Sequence, residues 1–160
     1  MWLDKTGVIF LKFKTLRLTE IADVDRVKKD TVLPKGTLYI RVSACKGAKY
    51  EQWNIMKEDG NPGDGFAALT LKRQAIPEYL KETLELSAPQ FMQRYVGKSI
   101  NISMDLFKFY KVNFHDNIDD QRAIVNVMNS INNEIVLTEQ QIKQEKENKK
   151  WFLDNMFPSD

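Results

Sequence analysis

Read as a string of apolar and polar positions, the chain follows one rule up to about residue 118 and another beyond it. Residues 8–14 and 38–44 (LYIRVSA in the second) are apolar or alternating and rich in side chains that pack on a pleated surface, which predicts two strands. Between them Leu18, Ile21 and Ala22 share a helical face, so residues 18–27 are expected to form a short helix or turn, followed by a turn at Pro34, Lys35 and Gly36. Residues 58–65 (EDGNPGDG) are nearly all turn formers, and residues 66–71 (FAALTL) resume as a strand. Pro77 suits the first position of a helix carrying Tyr79, Leu80, Thr83 and Leu84. Pro89 likewise suits the start of a second helix with Phe91, Met92 and Tyr95, which Gly97 can end. Residues 100–112 predict a short helix or loop and then a strand. Strands mixed with short helices point to one mixed α/β domain rather than a βαβ repeat.

From Asp119 the pattern becomes helical. Ile124, Val127, Met128, Ile131, Ile135, Ile142, Leu153 and Met156 fall at spacings of three, four or a whole number of turns, an apolar stripe on one face. Asp119 and Asp120 complement the dipole at its start, and the lysines within 143–150 thicken positive charge toward its other end. Unbroken from 119 to 157, such a helix is about 58 Å long at 1.5 Å per residue. A domain of about 118 residues cannot cover that length, so part of the stripe needs a second copy of the chain or a separate subunit. The polar middle of Asn129, Ser130, Asn132 and Asn133, followed by a capping-box pattern at Thr138 and Gln141, leaves a helical hairpin as the alternative. The expectation is therefore an α+β chain, with a domain over residues 1–118 and a long, coiled-coil-like helix over residues 119–160.

Composition narrows the class. At 160 residues and 42% hydrophobic content, the chain has material for one core and a helical appendage but not for two domains. No apolar run approaches the roughly 18 residues of a membrane span. The opening mixes Asp4 and Lys5 into its apolar residues, which argues against a secretory leader and for a cytoplasmic location. Cys45 is the sole cysteine, which excludes an internal disulfide and a multi-cysteine zinc site. The net charge is only +2, but residues 1–118 hold 19 Lys or Arg against 14 Asp or Glu, and the remainder 5 against 8. A basic globular part and an acidic helix would keep the attraction for phosphate in the first and leave the second for protein contacts.

No catalytic constellation emerges. His115 is the only histidine, so schemes needing a His pair or a His-rich metal site are excluded, and beside Asp116 at a helix start it reads as a capping or packing residue. Gly60, Gly63 and Gly65 lack the following Gly-Lys-Ser/Thr of a phosphate loop. Carboxylates around the central loop, Glu51, Glu58 and Asp64, keep a small metal nuclease open as a minor alternative. Nucleic-acid binding survives this elimination. Arg26, Lys28, Lys29, Arg41, Lys46, Lys49, Arg94 and Lys98 offer phosphate donors near turns or element ends. Tyr50, Gln52, Trp53, Gln93 and Asn101 offer planar or stacking groups for bases, although Trp53 also fits a core.

In this setting PEYLKETL, then QFMQRYVGKSINISMDLFKFYKVNF, then DDQRAIVNVMNSINNEIVLTEQQIKQEKENKKWFLDNMF resemble, in order and spacing, the DNA specificity subunits of type I restriction and modification systems. Pro77, Tyr79 and Leu80 match the family's helix opening, Gly97 with Ile100 and Asn101 its next segment, and Asp120 with Gln121 the start of its conserved long helix. FKTLRLTEIADVDR resembles the opening of the family's recognition domain, and residues 36–44 its following strand. Asp120 stands at the usual glutamate position, the proline ahead of the helix is replaced near residues 113–116, and the loop-rich middle is short.

The full subunit of that family has two recognition domains and two helical regions, and this chain resembles one half. The resemblance implies sequence-specific recognition of double-stranded DNA and no chemistry or cofactor of its own. It also implies association with an adenine methyltransferase subunit and a restriction motor subunit, which bring the cofactors. Ile124, Val127, Met128, Ile131, Ile135, Ile142 and Leu153 would form the assembly face, through which two copies can rebuild the two-domain arrangement. The alternative is a non-catalytic protein-binding module, such as a restriction antagonist that occupies the methyltransferase through the same helix.

Overall fold

A computed structural model describes residues 2–3, 9–43, 53–97, 99 and 101–156. The chain divides into two compact units, Met1–Arg122 and Ala123–Asp160. It is α+β, with mixed sheets followed by a long C-terminal helix.

The first unit is organised by a four-stranded antiparallel sheet of β4 (Ala22–Arg26), β5 (Leu38–Arg41), β6 (Trp53–Ile55) and β7 (Phe66–Leu71), in the order β4-β7-β5-β6. A pair of β1 (Trp2–Leu3) with β2 (Ile9–Phe10) and a pair of β3 (Lys14–Arg17) with β8 (Lys111–Phe114) complete the strands. Alternation explains β5 and β8: Leu38 and Ile40 are buried while Tyr39 and Arg41 are half-buried, and Val112 and Phe114 are buried while Lys111 and Asn113 are exposed.

Residues 18–27 depart from the expected helix. Only α1 (Leu18–Ile21) is helical, its start tied by Glu20, whose carboxylate accepts the Arg17 backbone N–H at 2.7 Å. From Ala22 the chain is strand, because Ala22, Asp23, Val24, Asp25 and Arg26 pair in register with Leu71, Thr70, Leu69, Ala68 and Ala67. A ladder of this length outweighs the one-turn helical spacing that ends at Ala22. The strand expected over residues 8–14 is likewise split, with residues 11–13 irregular between β2 and β3.

Pro77 does start α2 (Pro77–Phe91), but Pro89 lies inside it rather than opening a second helix. Tyr79, Leu80, Thr83, Leu84, Ala88 and Phe91 form one continuous buried face, which carries the helix through the proline. A π-helical turn, Met92–Val96, follows, and Gly97 ends it with φ +60°, a backbone region in which a side chain is strained. A 3-10 segment, Met104–Phe109, leads into β8.

The core is strongly aromatic. Trp53, Phe91, Phe107 and Tyr110 are buried together, with Phe91 and Tyr110 centroids 4.4 Å apart and Trp53 edge-on to Tyr110 at 6.1 Å. Trp53 Nε1 donates to the Tyr110 hydroxyl at 3.3 Å, and that hydroxyl donates to the Leu84 carbonyl at 2.6 Å, so the polar tips are satisfied. Trp53 is thus a core residue and not a base-stacking one.

The long helix α3 (Ile118–Met156, 39 residues) is continuous. The polar middle does not break it; Ser130 Oγ and Thr138 Oγ1 donate back within the helix to the Asn126 and Glu134 carbonyls at 3.0 and 2.8 Å. Thr138 therefore caps no second helix, and the hairpin alternative is set aside.

Candidate nucleic-acid interface

Strand register brings two arginines to one end of the sheet. Arg26, the last residue of β4, lies opposite Ala67, and Arg41, the last of β5, opposite Phe66, so both flank the start of the central strand β7. Just beyond, the Val42 and Ser43 backbone N–H groups both donate to the Gly65 carbonyl, at 2.9 and 3.1 Å. A bridge between Ser43 and Asn101 adds a third segment there, with Ile102 N donating to the Val42 carbonyl at 2.9 Å. Arg26 Nη1 donates to Ser43 Oγ at 3.4 Å, and the Arg41 guanidinium lies 4.8 Å from the Phe66 ring centre. Ser99 Oγ donates to the Asn101 carbonyl at 2.8 Å and accepts from its N–H at 3.2 Å, which holds the Asn101 backbone in place.

Arg26, Arg41 and Asn101 therefore reach one end of the sheet from three distant stretches of sequence, with Arg26 on the face of Ala67 and Ile40 and Arg41 on the opposite face with Phe66. Two planar forks and one amide are the donors that phosphates, guanine and adenine edges accept. Trp53, on the neighbouring strand β6, pairs with Ile40. Lys46, Lys49, Tyr50, Gln52 and Lys98 lie outside the described residues.

Lys28 and Lys29 follow Arg26 in a turn closed by Thr31 N donating to the Lys28 carbonyl at 3.0 Å. The turn is held by a residue that the sequence pattern alone does not single out. Asn61 Nδ2 donates to the carbonyls of Lys28, Lys29 and Thr31 at 2.8, 3.1 and 2.6 Å, while its Oδ1 accepts from Gly63 N at 2.7 Å. The Asn-Pro-Gly run is the available signal, since an Asn side chain in such a turn bonds to nearby backbone. Both lysines are exposed. Arg94 belongs to a separate cluster on the π-helical turn, and Gln93 beside it is exposed.

At the start of α3 the polar groups are used structurally. Gln121 is fully buried: Oε1 accepts from Ile76 N at 2.9 Å, and Nε2 donates to the His115 carbonyl at 2.7 Å. The Tyr79 hydroxyl accepts from His115 N at 2.8 Å and also meets His115 Nδ1 at 2.8 Å. Burial pulls the His115 pKa below its ordinary value, against the opposing pull of Asp120, and burial raises that of Tyr79. Asp116 is held below the usual carboxylate range by its hydrogen bond from Lys14, at 2.6 Å.

On α3, Val127, Ile131, Ile135, Ile142 and Leu153 are exposed, and Ile124 and Met128 are partly exposed. Among the described residues no group of three or more His, Cys, Asp or Glu is placed to hold a metal ion, and no helix is long and apolar enough to cross a membrane.

No protein-family model matches the chain, and no curated protein matches it in sequence. Solved structures do match. A structure from work on complex assembly and conformational transition of the type I R-M system has TM-score 0.66 at 16% identity, covering 93% of this chain and 46% of that one. The type I restriction-modification S subunit from M. genitalium has TM-score 0.58 at 13% identity, covering 92% of this chain and 46% of that one. The HsdS subunit from Thermoanaerobacter tengcongensis has TM-score 0.59 at 16% identity, covering 81% and 39%. The chain thus spans less than half the length of each of these three structures. The fold that the sequence resemblance implied is the fold found, that of type I restriction-modification S subunits.

Proposed function

We propose that this chain is a specificity half-subunit. Residues 1–118 recognise double-stranded DNA, and residues 119–160 assemble the module with a second copy and with the adenine methyltransferase and restriction motor subunits of a cytoplasmic restriction-modification enzyme. The observation that carries this reading is the placement of Arg26, Arg41 and Asn101 around one sheet end, within a domain of the S-subunit fold. The chain performs no chemistry and holds no cofactor, since methyl transfer and cleavage belong to the partners. Lys28 and Lys29 add phosphate donors beside Arg26, and Lys46, Lys49, Tyr50, Gln52, Arg94 and Lys98 are assigned to the same role.

The test is co-purification with the neighbouring methyltransferase subunit, then selection from random duplexes. A bipartite motif is expected, palindromic if two identical copies assemble. Binding should weaken steeply with salt as phosphate counterions are released. Asn101→Ala should relax preference at one base position, at a cost of about 1–3 kcal/mol. Arg26→Gln with Arg41→Gln should weaken binding. A stable complex without any enriched motif would instead support the antagonist reading, which the exposed apolar stripe of α3 favours on its own.

A further inference from the structure

The aromatic core of the first unit continues outward to the surface. Phe91 in the core is 5.9 Å from Tyr95, and the Tyr95 ring stacks on Phe109 at 5.1 Å, with the planes only 8° apart. Tyr95 is half-buried, whereas Phe109 is 43% exposed. A cation sits at each ring: the Arg94 guanidinium is 5.6 Å from the Tyr95 centre, and Lys108 Nζ is 5.1 Å from that of Phe109. Both cations are exposed, and among the described residues neither has a carboxylate partner. The stack joins the π-helical turn to the 3-10 segment, the two elements that flank Asn101 in sequence.

A stack serving only to staple this loop needs neither cation. Exposed apolar ring surface flanked by two positive charges suits a partner that alternates anionic groups with flat apolar ones, which is the surface of a nucleic acid strand. Its place on the two elements that flank Asn101 in sequence favours that occupant over an acidic peptide. We infer that Arg94, Tyr95, Lys108 and Phe109 form a second DNA-contacting ridge. Arg94 and Lys108 each take a backbone phosphate, and Phe109 packs against the sugar or base edge between them. This deepens the DNA-recognition reading and rests on it.

The experiment uses the full chain in complex with the methyltransferase subunit and the duplex enriched by selection, titrated from about 50 to about 200 mM salt. Arg94→Gln with Lys108→Gln keeps the rings and removes the charges. The slope of log affinity against log salt should become shallower by about 1.8, at about 0.9 for each phosphate that is no longer neutralised. The enriched motif and the thermal melting should stay unchanged. Phe109→Leu should weaken binding at every salt concentration with the slope preserved. If the double charge variant binds with the wild-type slope and affinity while Arg26→Gln with Arg41→Gln does not, the ridge is overturned and DNA recognition stands. Loss of methyltransferase binding in the double variant would mark the ridge as a protein contact and overturn it too. Absence of salt-dependent duplex binding by the unmutated complex would remove the DNA-recognition reading itself.

Discussion

The isoleucines of the two units have opposite fates. Ile21, Ile40 and Ile102 in the first unit are fully buried, whereas Ile131, Ile135 and Ile142 on α3 keep about half their surface in water, at 51%, 49% and 49% exposure. Full burial of such a side chain is worth about 1.5–3 kcal/mol. The first unit therefore collects that stabilisation within itself, and the helix collects little of it. At 39 residues α3 exceeds the roughly 12–15 below which an isolated helix is marginal, so it can persist on backbone bonding and propensity. Periodicity thus reveals that an apolar face exists, and only packing reveals whether the chain covers it.

The sharpest way to break this contrast is to remove a core anchor. Trp53→Ala deletes the largest fully buried side chain and takes a hydrogen-bond partner from the Tyr110 hydroxyl. It should destabilise the first unit by about 3–5 kcal/mol, measured as a lowered urea midpoint. Gln121→Leu should cost about 1–3 kcal/mol, because it strands the Ile76 N–H and the His115 carbonyl that the side chain now satisfies. A midpoint unchanged in the Gln121 variant would show that water replaces both bonds.

On the helix, Ile131→Glu with Ile135→Glu should change the stability of the first unit by no more than about 0.5 kcal/mol, as exposed substitutions do. The same pair should abolish self-association and complex formation. An unchanged mass by light scattering, in a protein that self-associates before mutation, would sink the assembly role of the stripe.

Legibility in the sequence follows the same division. The start of α2 at Pro77, strand β7 and the run of α3 are readable because local pattern and final structure agree there. The segment from Ala22 misleads because its strand identity comes from pairing with β7, which one-turn helical spacing cannot reveal. Pro89 misleads because a continuous buried face on α2 overrides the proline's preference for a helix start. Arg26, Arg41 and Asn101 can each be named as donors, but only strand register and the Ser43 bridge show them at one end of the sheet. The pairing of Tyr95 with Phe109 gives no signal at all, since the two rings sit on separate elements that only the fold brings together.

The smallest expected effect separates the units by acidity. His115 is the only histidine in the chain, so between about pH 5.5 and 7 it is the one side chain whose ordinary pKa falls in the window. Its pKa is lowered in the fold, chiefly by burial, so the unfolded chain binds more protons in this range and stability rises with pH. The contribution is complete above the unfolded value of 6.5 and is lost as pH falls through the folded one. The change should be small, because the site can adapt. Neutral His115 with its proton on Nε2 lets the Tyr79 hydroxyl donate to Nδ1 at 2.8 Å; whenever Nδ1 carries a proton, as in protonated His115, the hydroxyl can accept from it and turn its own proton to the Asn113 carbonyl, 3.3 Å away. The melting temperature of the first unit should therefore fall slightly between about pH 7 and 5.5, and His115→Asn should flatten that fall. The same fall in the asparagine variant would show that His115 is not its source.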